Sequence, residues 1–172
     1  IRRRAPEVRY HHLAISDTDG SVTFEVKESR SGRPVKKIVG NNSLLRRTSP
    51  DISYESVTVP SARLDTFLAR RELEGRSFSA WIDVEGALGI VTAGFGSAIR
   101  SCLSLIVEVE DIAFWQGQML AADAMHFFDS QGMVPVARDF EAPHQYNLVY
   151  LRQDILGLPE VSAAIESYVQ SL

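Results

Sequence analysis

Ser79-Ala80-Trp81-Ile82-Asp83-Val84-Glu85-Gly86 is the stretch that decides how the chain is read. Its first half is apolar enough for a buried strand, and its second half stops in two carboxylates and a glycine. Residues 87–99 follow as a helix, although Gly89, Gly94 and Gly96 weaken its interior. The carboxylates therefore fall on a strand-to-helix turn. In open α/β sheets, ligands bind at such turns, outside the carboxyl ends of the strands.

Working outward, residues 103–110 (LSLIVEVE) are almost continuously apolar, as expected of a strand covered on both faces. Residues 114–130 read as a helix with Trp115, Met119, Ala122, Met125 and Phe127 or Phe128 on one stripe, ended by Gly132. Strands are expected at 133–137 and 146–151, and a helix at 158–172 with Pro159 in its first turn. Upstream, 8–16 reads as a strand, 17–20 as a turn, and 21–27 and 54–60 as half-buried alternating strands. A short strand is expected within 36–42. A helix is expected over 61–74, with Ser61 as its N-cap and Gly75 as its stop. Strands alternating with helices argue for an α/β sheet with right-handed crossovers. The loop between the last two strands is too short for anything but an antiparallel pair.

Length and composition bound the function. A chain of 172 residues is the size of one domain, and its 45% hydrophobic and 23% charged residues are those of a globular protein. A net charge of −4 argues against a nucleic-acid binder. The pairs Arg46-Arg47 and Arg70-Arg71 read as solvated surface. The single cysteine, Cys102, permits no internal disulfide and suits a reducing compartment, so a cytoplasmic location is expected. No apolar run approaches the ~20 residues of a membrane span, so no membrane partner is expected. The first residues, Ile-Arg-Arg-Arg, lack the apolar core of a signal peptide and an initiating Met.

Several stretches together resemble the FkbM-type family of S-adenosylmethionine-dependent methyltransferases. They are Leu13-Ala-Ile-Ser-Asp with Gly20, Asn42-Ser-Leu, Val57-Thr-Val-Pro, Arg63-Leu-Asp-Thr-Phe-Leu, Ile82-Asp-Val-Glu-Gly, Leu105-Ile-Val-Glu-Val and Asn147-Leu-Val-Tyr. Trp81 stands where the family has a lysine. The resemblance implies a Rossmann-like class I methyltransferase sheet, mostly parallel with an antiparallel last strand and a β-hairpin insertion. It also implies methyl transfer from S-adenosylmethionine to a hydroxyl of a small molecule or glycan. The family's Gly-rich donor loop and its ribose-binding acid find no match here, and Gly94-Phe-Gly96 lies too late in a helix to serve. The chain is therefore expected to be an incomplete sheet, the C-terminal part of a longer domain, and by itself inactive. The rival expectation is a non-catalytic α/β interaction module that lost the donor site.

The candidate residues follow from strand ends. Asp83 and Glu85 lie two apart and face one side if the strand's alternation persists. Glu108, inside an apolar run, needs a partner, and Glu110 ends the same strand. Asp83, Glu85, Glu108 and His144 are candidates for taking the acceptor's proton. The resemblance places Ala14, Ile15, Ser16 and Asp83 against the donor. His11 and His12 point to opposite faces of a strand, His126 reads as structural, and Cys102 as a small buried residue. No metal-ligand cluster and no Ser-His-Asp pattern is present, so no metal is expected.

Overall fold

The strands gather into two mixed sheets of four. The computed structural model describes residues 8–35, 42–139 and 142–170. The first sheet contains β1 (Ala14–Ile15), β2 (Gly20–Arg30), β3 (Arg33–Pro34) and β4 (Ile52–Ala62), in the order β1-β4-β2-β3. The second contains β5 (Phe78–Ile82), β6 (Cys102–Glu110), β7 (Met133–Arg138) and β8 (Gln145–Arg152), in the order β5-β6-β8-β7. Only β1 with β4 and β5 with β6 run parallel; every other pairing is antiparallel.

This corrects the expected Rossmann-like, mostly parallel sheet. Alternation of strands and helices implies parallel neighbours only when each helix is a crossover within one sheet. Here α1 (Leu64–Ala69) leads from the first sheet to the second, and only the segment between β5 and β6 is such a crossover. The long alternating strands β2 and β4 instead zip together antiparallel from Gly20–Ser61 to Arg30–Ile52. The last two strands form the antiparallel pair that their short loop requires.

The helices are shorter than their apolar spacing suggests. The helix expected over 87–99 is α2 (Leu88–Ala93) followed by a 3-10 turn over Gly96–Ser101. Gly94 and Gly96 break it for tertiary reasons. A Cβ on Gly94 would sit 2.0 Å from the Ser16 carbonyl oxygen, and Gly96 has φ +49° with the Asp65 carboxylate against it. The helix expected over 61–74 reduces to α1. Ser61 does not cap it, because its hydroxyl donates to the Thr18 carbonyl at 2.8 Å. The helix expected over 114–130 starts late, as α3 (Ala121–Ser130), so its buried stripe is Ala121, Ala124 and Phe128, while Ala122, Met125 and His126 are exposed. Of the strand expected over 8–16, only β1 forms, and His11 and His12 lie outside it, exposed. The strand expected within 36–42 falls mainly outside the described residues. A C-terminal helix, α4 (Pro159–Gln170), ends the described chain. Among the described residues no helix is long and apolar enough to cross a membrane.

The hydrophobic core belongs to the second sheet. Leu105, Val107 and Val109 of β6 are fully buried, between Phe128 of α3, Val91 of α2, and Leu148 and Tyr150 of β8. Cys102 joins them as a buried thiol, pushed up to about 11 by burial. The first sheet has no such cluster among the described residues. Its buried side chains are mostly polar: Ser16, Glu25, Ser43 and Ser61.

Candidate active site

The opening stretch folds as a strand and a strained turn. β5 ends at Ile82, and the turn closes with the Ala87 amide donating to the Val84 carbonyl at 3.1 Å. Glu85 has φ +50° and Gly86 φ +81°. Left-handed backbone at a glutamate costs free energy and persists only when its surroundings impose it. The surroundings are visible. A Cβ on Gly86 would come 2.3 Å from Cδ1 of the buried Trp115, so only glycine lets the turn lie on that ring. β5 ends before Asp83, so Asp83 and Glu85 lie in the turn, where strand alternation no longer sets which way they face.

Trp115 is held by a strap from the first sheet's side. Arg47 and Trp115 form an antiparallel bridge, reinforced by the Thr48 amide to the Phe114 carbonyl at 3.0 Å and the Gln116 amide to the Arg46 carbonyl at 2.8 Å. The Arg47 guanidinium lies 4.5 Å from the centroid of the Trp115 ring and 3.8 Å from Oε2 of Glu85. Arg47 is therefore not a solvated surface charge. Its partner in sequence, Arg46, is also engaged, 3.1 Å from the carboxylate of Glu25.

β6 brings the other two carboxylates. Ile82 pairs with Val107, so Asp83 and Glu108 stand one residue beyond the last paired position. Burial, opposed by a hydrogen bond from Gln145 and reinforced by the charges of Asp83, Glu110 and Glu85, pushes the Glu108 carboxyl up to about 7. Glu110 is only 3% exposed. Its Oε2 accepts from the Gln118 side-chain amide at 2.9 Å, and Gln118 in turn accepts from the amides of Phe114 and Trp115. Oε1 of Glu110 and Nε of Arg47 are buried with no hydrogen-bond partner among the described residues. Burial and the neighbouring Glu85 raise the Glu110 carboxyl above its usual range, against the pull of Gln118 and Arg47. The charges of Asp83 and Glu85 thus add to burial in favouring the protonated forms of Glu108 and Glu110, and Arg47 opposes this at Glu110.

The turn lines a cavity of about 510 Å³. Ala14 and Ile15 of β1, the residues of β5, and Val91 and Phe95 line it together with Asp83 and Glu85. Of the expected donor contacts, Ala14, Ile15 and Asp83 line this space. Ser16 does not: it is fully buried, and its hydroxyl donates to Asp17 at 3.0 Å. His144 is exposed, with φ +67°. Its carbonyl accepts from the Asp111 amide at 2.9 Å, so its backbone is near the rim while its side chain lines no part of the cavity. Among the described residues, no three His, Cys, Asp or Glu side chains are grouped to hold a metal ion. Arg47, Trp115 and Gln118 escaped the sequence reading, since a bridge between residues 68 apart in sequence leaves no local trace. Glu110 carried a signal, a carboxylate at the end of an apolar run, shared with Glu108.

Two carboxylates just beyond the end of β5, lining an apolar cavity, suit a small ligand with a polar end. The model of the Methyltransferase FkbM domain matches residues 1–135, which places the chain in that family and suggests methyltransferase activity. No curated protein and no solved structure matches the chain.

Proposed function

We propose that the intact protein transfers a methyl group from S-adenosylmethionine to a hydroxyl of a small molecule or glycan. The observation that carries this reading is that Asp83 and Glu85 line an apolar cavity, with Glu108 on the neighbouring strand within reach of their charges, in a chain of the FkbM methyltransferase family. The cavity suits the donor chemically, with apolar walls at Ala14, Ile15 and Phe95 for a flat ring and the carboxylates of Asp83 and Glu85 for hydroxyls and positive charge. When bound, S-adenosylmethionine supplies an electrophilic methyl group on a positively charged sulfur.

The chain's own residues do the rest by position and electrostatics. Ala14 and Ile15 hold the apolar part of the donor. Asp83 and Glu85 set a negative field in the cavity, which favours a cation there. Glu108 takes the proton from the acceptor hydroxyl. A carboxyl titrating at about 7 accepts that proton more readily than an ordinary glutamate and is still half ionised at neutral pH. Arg47 holds Glu85 in its left-handed turn and is a positioning residue.

Incubating the protein with methyl-labelled S-adenosylmethionine and a panel of saccharides and small alcohols tests the reading. Label recovered as a methyl ether supports it, with Glu108→Gln slowing transfer about 10²-fold while donor binding by calorimetry persists. An intact protein that neither binds the donor nor transfers label to any hydroxyl is the non-catalytic module instead.

A further inference from the structure

Glu110, the last residue of β6, has no part in the reaction proposed above, yet it is 3% exposed and the most deeply placed of the neighbouring carboxylates. Stability does not account for a carboxylate there. Burying one is costly, and an apolar side chain at such a position is often neutral or stabilising. One oxygen, Oε1, has no hydrogen-bond partner among the described residues. The other holds Gln118: Oε2 accepts from the Gln118 side-chain amide at 2.9 Å, and Oε1 of Gln118 accepts from the backbone amides of Phe114 and Trp115 at 2.6 and 2.8 Å. A carboxylate only accepts, so it fixes which end of the Gln118 amide faces it and leaves the Gln118 oxygen for those two amides.

We propose that Glu110 is a positioning residue: through Gln118 and Trp115 it fixes the left-handed turn that keeps Glu85 in the lining of the cavity. Each link is a contact already in place. The two amide bonds to Gln118 seat Trp115, 1% exposed, against Gly86, where any Cβ would overlap the ring. The same ring lies 4.5 Å from the Arg47 guanidinium, which in turn stands 3.8 Å from Oε2 of Glu85. Moving Trp115 therefore moves both supports of the turn, the surface under Gly86 and the cation beside Glu85. The inference rests on the reading of this cavity as the donor's site. It adds a residue that does not line the cavity, yet sets how firmly the donor's positive charge is held. Gln118 is the intermediary, so deleting it should do to the turn what deleting Glu110 does.

Glu110→Leu, Glu110→Gln and Gln118→Leu in the intact protein test this. The readouts are donor KM and kcat, melting temperature, and the ¹H–¹⁵N resonance of the Trp115 indole, told apart from that of Trp81 by Trp81→Phe. We expect Glu110→Leu to shift the indole resonance and to raise donor KM about tenfold, as for one lost charge-assisted hydrogen bond. kcat at saturating donor should change little, and the melting temperature should hold or rise. Glu110→Gln keeps an acceptor for Gln118 and should restore the resonance and most of the donor affinity. Gln118→Leu should match Glu110→Leu, and the double variant should be no worse than either. Four results overturn the proposal: an unmoved indole in Glu110→Leu, a KM that rises only as the melting temperature falls, a Glu110→Gln variant as impaired as Glu110→Leu, or additive losses. If the unaltered protein does not bind the donor, the proposed function falls, and the indole resonances of the same variants still decide whether Glu110 places Trp115.

Discussion

The two sheets are alike in strand number and in having one parallel pair each, yet they are stabilised differently. The second is built around β6, whose Leu105, Val107 and Val109 are sealed by α3 and β8. The first is a long β2–β4 ribbon with mostly half-exposed faces, and where it does bury side chains it buries hydrogen-bonded polar ones. Glu25 shows how: its carboxylate accepts from Ser56 at 2.8 Å and from Arg46 at 3.2 Å. A buried apolar face stabilises by the area it removes from water. A ribbon exposed on both faces depends on its ladder and on cross-strand pairs worth less than about 1 kcal/mol each. The difference teaches where function can sit: the strained, charge-repelling turn at Glu85 is affordable because it leans on the sheet that has a core.

The largest effect should separate the sheets outright. Phe128→Ala removes a fully buried ring and is expected to cost about 3–5 kcal/mol by denaturant unfolding. Val57→Ala, opposite Phe24 on the ribbon, should cost about 1 kcal/mol or less. Equal losses would erase the contrast. Next comes Gly86→Ala, which combines a left-handed φ with a clash against Trp115 and should cost about 2–3 kcal/mol. An unchanged midpoint would show that the turn does not rest on that ring.

A further contrast is in pH dependence. The folded-state carboxyl of Glu108 is raised from 4.5 to about 7, so between those values the folded protein holds a proton that the unfolded chain releases. Stability contributed by this group is therefore lost as pH rises from 4.5 to about 7 and is flat above. Glu108→Gln should flatten that part of the stability curve. A mutant curve parallel to the wild type would mean that Glu108 titrates normally.

The ribbon and β6 were legible because alternation and continuous apolar runs are local signals. Helix ends were not. Gly94 is needed where the Ser16 carbonyl approaches, a contact made across 78 residues of sequence, and no periodicity of residues 87–99 reports it. The late start of α3 has the same origin: Trp115 is drawn out of the expected helix by its bridge to Arg47. At the site, carboxylates near strand ends could be read directly; Asp83 and Glu85 line the cavity, while Glu108 is not among its lining residues. Ser16 and His144 were chosen by strand position and loop position, and neither property says where a side chain points. Sheet order failed for a physical reason too, since a sequence of strands does not reveal that the chain changes sheets at α1.

Burial and the charges of Asp83, Glu110 and Glu85 together press on Glu108 and leave it poised as a base near neutrality. Labelling the glutamate side-chain carboxyls with ¹³C and following their NMR shifts from pH 3 to 9 tests this directly, with Glu108→Gln assigning the resonance. The account predicts a Glu108 midpoint at about 7 that falls when Asp83→Asn removes a neighbouring charge. A midpoint at the ordinary 4.5, indifferent to Asp83, would contradict it.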